Sequence, residues 1–295
     1  MKRTLLCLLL LSLPRPALAS GPIGVGAPIE AAPVASGGLE TGNRRAYWSR
    51  GNHRWFVSSL LDAGYLYARP QIAVGYGKPH WRYFQVETFG TISGGGGAPY
   101  AGIRMGLPFL ELRSGARYQI PFTRSFLPRE ASYDRFDLEN RLAPTARYLA
   151  FDNDLQATIP AYKGTIFTLL SLNYVTGVPD GYDVYEEQVR VIGTAPWFTR
   201  ARLGYAFRLG EQGAIRIGPV VEWIYNLGRK TTTIRAGVVA TVVLTHHLEV
   251  LATLVPTITS PDRIGLTGGD FGQLGIRYRW ASPAPPSEPS ERTEP

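Results

Sequence analysis

The chain has 295 residues, a formal charge of +8 and a single cysteine, Cys7. After the first twenty residues no stretch approaches the roughly 18 apolar residues of a membrane-spanning helix, which excludes a helical membrane protein. The 33 glycines, 16 tyrosines and 6 tryptophans suit sharp turns and aromatic girdles. A mean hydropathy of −0.07 is typical of an ordinary soluble protein, and a transmembrane β-barrel gives the same average, because lipid-facing and lumen-facing residues alternate along its strands.

The first twenty residues have the layout of an export signal. Lys2 and Arg3 are followed by an apolar run at 5–13 and by the small-residue site Ala17-Leu18-Ala19, which predicts a signal peptide over 1–19. The alternative, a membrane anchor, needs a longer apolar run. Cleavage removes Cys7, so the mature chain has no disulfide and no thiolate metal site.

Both ends of the mature chain lack periodicity. Residues 20–53 are rich in glycine, alanine and proline and are predicted to be a flexible periplasmic lead-in. Residues 281–295 form a Pro/Ser/Glu tail that cannot bury a core and is predicted to be disordered. The single folded domain therefore spans 54–280.

Within 54–280, apolar and polar residues alternate at period two in long runs, which is typical of β-strands. The runs are about twice the roughly 5–6 residues of ordinary strands, which favours an antiparallel transmembrane β-barrel over a soluble β-sandwich. Even strand numbers are the rule for such barrels, so we predict about twelve strands, with ten or fourteen as alternatives. The predicted strands are 54–61, 65–76, 82–92, 100–107, 109–119, 146–159, 165–176, 187–209, 214–225, 232–244, 248–258 and 271–280.

Two of these strands are open to another interpretation. Residues 54–61 would also suit a short plug helix. Residues 187–209 carry one continuous alternation, although Pro196 would remove a ladder hydrogen bond. Treating 187–209 as one strand places every long connection, including 120–145, on the outer side and nearly every short one in the periplasm. This is the arrangement expected of outer-membrane barrels, so one strand is our prediction.

The inward faces of the predicted strands are rich in arginine. Arginine stays charged and binds carboxylates or phosphates through two parallel hydrogen bonds. An excess of positive charge in a pore favours anions, whereas pairing with carboxylates would fill a narrow barrel and leave it closed. The inward residues are Arg69, Arg104, Arg113, Arg117, Arg190, Arg200, Arg202, Arg208, Arg216, Arg235, Arg277 and Arg279, facing Glu87, Glu111, Asp152, Asp154, Glu222 and Glu249. Of these we take Arg104, Arg113, Arg117, Arg190, Arg200, Arg202, Arg216, Arg235, Glu87, Glu111 and Glu222 as lumen or constriction candidates.

The sequence does not favour an enzyme, and an outer-membrane hydrolase is the least favoured alternative. His80, His246 and His247 fall in predicted periplasmic turns and His53 precedes the first strand. No histidine therefore reaches the outer rim, where a serine nucleophile would need it as base. The pair His246-His247 supplies too few ligands for a structural metal site. We predict no catalytic residues, no metal and no cofactor.

The last predicted strand reads Gln273-Leu274-Gly275-Ile276-Arg277-Tyr278-Arg279-Trp280. Its Gln273, Gly275, Tyr278 and Trp280 resemble the closing signal of bacterial outer-membrane β-barrel proteins. The resemblance covers about residues 54–280 and implies insertion by the barrel-assembly machinery into the outer membrane of a Gram-negative envelope. It departs from the common pattern because fifteen residues follow Trp280.

Two functions from different classes fit these observations. One is a narrow, porin-like, anion-preferring channel with an arginine-rich lumen. The alternative is a non-conducting barrel that acts as a structural or docking component of an envelope-spanning assembly. Expected partners are outer-membrane lipid and lipopolysaccharide, the insertion machinery, and periplasmic or surface proteins, the latter through the two tails or the loop 120–145. Nucleic acid is not expected as a partner.

Overall fold

The computed structural model describes residues 44–65, 67–122, 125–139, 146–210, 213–264 and 273–286. The predicted signal peptide, most of the lead-in and the end of the tail lie outside these ranges. Two short helices are described, α1 (Arg44–Ser49) and α2 (Arg135–Glu139), and neither is long and apolar enough to cross a membrane. The described strands are β1 (Arg54–Gly64), β2 (Tyr67–Lys78), β3 (Arg82–Ser93), β4 (Gly96–Gly106), β5 (Leu110–Pro121), β6 (Phe126–Pro128), β7 (Tyr148–Ala161), β8 (Gly164–Thr176), β9 (Tyr182–Glu186), β10 (Val191–Gly193), β11 (Trp197–Leu209), β12 (Ile215–Asn226), β13 (Thr231–Val243), β14 (Leu248–Leu254), β15 (Thr257–Thr259) and β16 (Gln273–Ser282).

Twelve of these strands form a closed antiparallel wall, as predicted. They are β1 to β5, β7, β8, β11 to β14 and β16. Each wall strand pairs with the next one along the chain, and β1 pairs with β16 to close the ring, with Leu61 opposite Tyr278. β15 continues the line of β14 and pairs with β13 beyond an irregularity at Ile234 and Arg235. Closure removes the exposed strand edges that an open sheet would have.

The first wall strand, β1, decides between the strand and the plug helix that the sequence allowed for residues 54–61. The segment is a strand and not a plug helix, and it continues through the predicted turn to Gly64. Because inward and outward residues alternate, this extension brings Asp62 onto the inward face, where it is fully buried.

The connections sort by length between the two rims of the barrel. At the terminal rim, where β1 begins and β16 ends, they are the short segments 79–81, 107–109, 162–163, 210–214 and 244–247. At the opposite end, the loop rim, they include the long segments 122–147, 177–196 and 255–272. Short periplasmic turns and long outer loops are usual in such barrels, which orients the terminal rim toward the periplasm.

The prediction of one strand over 187–209 is wrong. β11 begins at Trp197, and the residues before it turn back at Arg190, whose φ is 50°, and form β10 against β9. Val189 and Val191 share their alternation with Trp197, but they are buried in an apolar cluster with Val184 inside the loop rim. The alternation of apolar and polar residues there results from burial inside the loop rim and not from contact with lipid.

Helix α1 is fastened across the terminal rim. The Trp48 side chain is buried, and its Nε1 donates to the His246 carbonyl oxygen at 3.0 Å. The Tyr47 ring stacks on His246 with centroids 3.7 Å apart, and Lys78 Nζ donates to the Ser49 carbonyl oxygen at 2.6 Å. This part of the predicted flexible lead-in is thus helical and packed against two turns of the wall.

Candidate functional site

The lumen of the barrel is filled by paired charges. Most of the predicted inward side chains are almost completely buried, whereas side chains that line an open pore would be exposed to water. The buried arginines of the wall are Arg69, Arg113, Arg117, Arg200, Arg202, Arg216, Arg235 and Arg277, and the buried carboxylates are Asp62, Glu87, Asp152, Asp154, Glu222 and Glu249. Arg104 and Glu111 are part-buried.

The Glu222 cluster lies on β11, β12 and β13. Arg202, Glu222 and Arg235 stand side by side in the ladder register, so their side chains meet on the inward face. Arg200 Nε and Arg202 Nε donate to Glu222 Oε2 at 2.7 and 2.5 Å. Arg235 Nη1 donates to Glu222 Oε1 at 3.1 Å. One fully buried carboxylate therefore binds three guanidinium groups.

A second cluster joins the first and last wall strands. Arg277 Nε donates to Asp62 Oδ1 at 2.5 Å, and Arg69 Nη2 donates to Asp62 Oδ2. Arg277 also lies 3.4 Å from Glu249 Oε1, which Arg279 Nη2 approaches to 2.8 Å. The ion pairs cross the seam between β1 and β16 and so reinforce the closure of the barrel.

A third cluster occupies β3, β4 and β5. Arg113 Nε lies 2.7 Å from Glu87 Oε1, and Arg104 Nη2 lies 2.7 Å from Glu111 Oε1. The Arg113 guanidinium also stands over the rings of Phe89 and Tyr100, 4.7 and 4.9 Å from their centroids. Cation–π contacts of this kind strengthen when the charge is desolvated.

A short piece of the loop 177–196 passes through the lumen between these clusters. We call residues 186–190 the crossing segment. Glu186 Oε1 accepts from Arg117 Nη2 of β5 at 2.8 Å, and Gln188 Nε2 donates to Asp152 Oδ2 of β7 at 3.3 Å. Beside them, Glu187 Oε1 accepts from Ser93 Oγ at 3.0 Å, at the end of β3.

The far end of the crossing segment is held by a different part of the wall. Arg235 of β13 donates through Nη1 to the Val189 carbonyl oxygen and through Nη2 to the Arg190 carbonyl oxygen, both at 2.9 Å. β5 and β13 are five places apart in the ring of twelve strands, so the segment bridges nearly opposite walls. Arg190, predicted on an inward strand face, belongs to this segment.

Above the crossing segment, the described residues of the loop rim include a cap, the three-stranded sheet of β6, β9 and β10. Arg229 Nη1 lies 2.7 Å from Asp262 Oδ2, and its guanidinium stands 4.7 Å from the centroid of the Tyr133 ring. The Tyr133 hydroxyl donates to Asp183 Oδ2 at 2.9 Å. The predicted loop 120–145 thus contributes β6 and Tyr133 to the cap and leaves Phe136 of α2 exposed.

The remaining predicted residues have simple places. Arg216 lies buried on β12, and Arg208 Nη2 donates to the Gly164 carbonyl oxygen at 3.2 Å. The proposed assembly residues Gln273, Gly275, Tyr278 and Trp280 all belong to β16. Among the residues that the structure describes, no group of three or more histidine, cysteine, aspartate or glutamate side chains is arranged to hold a metal ion.

The outer surface of the wall is apolar. Aromatic pairs lie near each rim, Trp55 with Tyr76 at the terminal rim and Tyr174 with Trp197 at the loop rim. Exposed apolar side chains between them include Ile72, Val74, Val86, Ile103, Leu203, Ile217, Val238, Leu274 and Ile276. An apolar band with aromatic girdles around a polar interior defines a bacterial outer-membrane β-barrel, and the chain belongs to that class.

Solved structures with a likeness to this chain include an outer membrane protein, a porin and BamA. A loop-deletion mutant of OmpT, an outer membrane protein of Vibrio cholerae, has 8% identity, covers 77% of this chain and 99% of its own, and gives a TM-score of 0.36. The NanC porin has 6% identity, 77% and 98% coverage and a TM-score of 0.35. BamA from Haemophilus ducreyi has 9% identity, 79% and 70% coverage and a TM-score of 0.37. No protein-family model and no curated protein matches the chain.

Two carboxylates of the lumen were not expected from the sequence. Asp62 was assigned to a turn, although its parity with Ser58 and Leu60 would have placed it inward had the strand been extended. Glu186 likewise lies one residue outside the predicted strand 187–209 and shares the parity of Arg190, but it is not part of the wall, so its position depends on the fold of the whole loop.

Glu186 gives the crossing segment a pH dependence. Burial raises the pKa of Glu186, Arg117 opposes the rise, and nearby Asp152 adds to it. When the pKa of a carboxyl group is raised in the folded state, the folded segment becomes less stable as the pH rises above 4.5, the usual pKa of the group. The reason is that the carboxyl group releases its proton at a lower pH in the unfolded segment than in the folded one.

In Glu186→Gln we therefore expect slower amide exchange across 182–193 at pH 7, and a difference from wild type that shrinks toward pH 4.5. Hydrogen exchange with β1 as the internal reference measures this. Equal exchange at pH 7, or faster exchange in the variant, would contradict it.

Proposed function

We propose that this protein is a closed outer-membrane barrel, a structural or docking component of the cell envelope that does not pass solutes in its resting state. The observation that carries the proposal is the crossing segment, which is bound by β5 and β7 at one end and by β13 at the other. Arg117, Arg202 and Arg235 beside it are fully or almost fully buried, which leaves little room for a water-filled path past their side chains.

The docking part of the proposal rests on the terminal rim. Both described ends of the chain leave the barrel there, and Arg54 Nη2 donates to the Pro283 carbonyl oxygen at 3.1 Å. With α1 packed across the same rim, a partner in the periplasm would meet the lead-in and the tail together. The proposal includes no catalysis, because all four histidines lie at or before the terminal rim and none accompanies a serine at the loop rim.

The test is the current through the full-length protein after refolding and insertion into a planar bilayer, with a salt gradient across it. We expect no stable steps, while resistance of the inserted barrel to protease shows that it is folded. Steady steps with anion preference from the wild-type protein would overturn the proposal.

A gated anion channel is the second candidate. The observation in its favour is that arginines outnumber carboxylates among the described lumen residues, most clearly around Glu222. A gated channel would pass current only after the crossing segment has been released from the wall, whereas an open pore would pass current at all times.

A further inference from the structure

The lipid-facing surface of the wall has one exception to its apolar character. On the described wall strands, away from the rims, the outward side chains are apolar, aromatic, small or hydroxyl-bearing, apart from one amide, Asn153 of β7. Its neighbours in the chain, Asp152 and Asp154, point inward and are fully buried. Asn153 stands near the middle of β7, so it lies well inside the apolar band.

Three outward hydroxyl groups near the middle or the ends of their strands are satisfied within the wall, whereas the amide is only partly so. Thr88, Thr168 and Thr199 each donate from Oγ1 to a backbone carbonyl oxygen. Asn153 Oδ1 accepts from Ser114 Oγ of β5 at 2.5 Å. No described residue accepts a hydrogen bond from Asn153 Nδ2. In hydrocarbon an amide without its partners is costly, since no water is present to replace them.

We infer that this face of the barrel is an interface with a second copy of the same chain. An amide has both a hydrogen-bond donor and a hydrogen-bond acceptor. In a two-fold contact, the Asn153–Ser114 pair of one copy can therefore form hydrogen bonds with the same pair of the other copy. A two-fold interface uses the same patch on both subunits, and self-complementary polarity is what such a patch needs. This complementarity selects a second copy over an unrelated protein.

The shape of the wall around the pair suits a close approach. Ser114 lies opposite Asn153 in the ladder, and the next outward position of β5 is Ala116, which lies between Ala101 of β4 and Phe151 of β7. Small residues beside one polar group are characteristic of protein contacts within membranes, because they let two backbones approach and hydrogen-bond. Ile103 and Leu172 flank the pair at the same level and would complete an apolar rim.

Cross-linking of single cysteines tests the position of the interface. In a Cys7→Ser background we compare Ala116→Cys with Ala252→Cys, an alanine on the outward face of β14 on the other side of the barrel. With a short thiol–thiol reagent in lipid vesicles, we expect about tenfold more dimer from position 116. Equal yields, or coupling of position 116 in native membranes to a different protein only, would overturn the inference.

Replacing the amide tests its role. In Asn153→Leu we expect dimerisation to weaken by about tenfold, the range of one or two hydrogen bonds in a membrane, as counted by photobleaching of labelled protein in vesicles. Thr199→Val, which alters a hydroxyl on the outward face of β11, should leave the dimer unchanged. Unchanged resistance to heat in detergent shows that both variants fold. The inference would be refuted if the wild-type protein stayed monomeric at every protein density in the vesicles, or if Asn153→Leu dimerised as well as wild type. Neither outcome depends on whether the lumen conducts.

Discussion

Glu222→Gln is expected to lower the free energy of unfolding of the barrel by about 3–5 kcal/mol, the usual cost of removing one partner from a buried ion pair. Glutamine keeps the size of the side chain but removes the charge that Arg200, Arg202 and Arg235 share. Three desolvated guanidinium groups would then face each other without their carboxylate. Unfolding in urea in lipid vesicles, followed by tryptophan fluorescence, measures the loss.

The matched control is Glu111→Gln. The Glu111 side chain is 25% exposed, so water can solvate the Arg104 guanidinium when the charge is removed, and Arg104 also keeps Glu87 at 3.5 Å. We expect the control to lose less than half as much stability. Equal losses in the two variants would mean that burial of the arginines around Glu222 does not set the cost.

The wall of the barrel could be predicted from the sequence because each strand repeats the same constraint. Lipid on one side and packed charge on the other force an alternation at period two, and it persists through β2, β3, β12 and β13. The number of strands followed from the even strand numbers of such barrels, once connection lengths had favoured a single strand over 187–209. Apart from 187–209, where the wall strand begins only at Trp197, the bounds of the predicted strands lie within a few residues of those observed.

The cap and the crossing segment could not be predicted, because two environments produce the same pattern. Val189 and Val191 alternate with Arg190 as a wall strand would, yet they are buried inside the loop rim. The evidence against a strand was Pro196, which cannot donate to a ladder. The argument from connection lengths outweighed Pro196. Connection lengths do not distinguish a loop that folds into the lumen from a loop that projects outward.

The residue types of the lumen were predictable, but their pairing was not. Alternation places Arg202, Glu222 and Arg235 on the inward face, while their meeting depends on the register between β11, β12 and β13. The same holds for Arg117, which is paired with Asp152 on the neighbouring strand and also with Glu186 from a distant loop. Period two therefore predicts which carboxylates of the wall face the lumen, but it predicts neither their arginine partners nor the contribution of Glu186 from a loop.

Replacing the crossing segment 186–190 with a glycine–serine sequence of equal length is expected to turn a silent barrel into a conducting one. The replacement removes the Glu186 carboxylate from Arg117 and the side chains that fill the lumen between β5, β7 and β13. With twelve strands the bore is narrow, so we expect small current steps in a planar bilayer. The surplus of arginine in the remaining wall should make them anion-selective.

Two further variants and two contrary outcomes decide the meaning of those steps. The same replacement over Arg135–Glu139, a five-residue helix of the loop rim in which Arg135 and Phe136 are exposed, should leave the barrel silent. Adding Arg202→Ala to the opened variant should weaken the anion preference, because Arg202 lies on the inward face within the Glu222 cluster. If the opened variant passes no current, the side chains of the wall are sufficient to close the lumen and the crossing segment is not a gate. If it passes current with cation preference, the buried carboxylates, and not the surplus arginines, set the potential along the path.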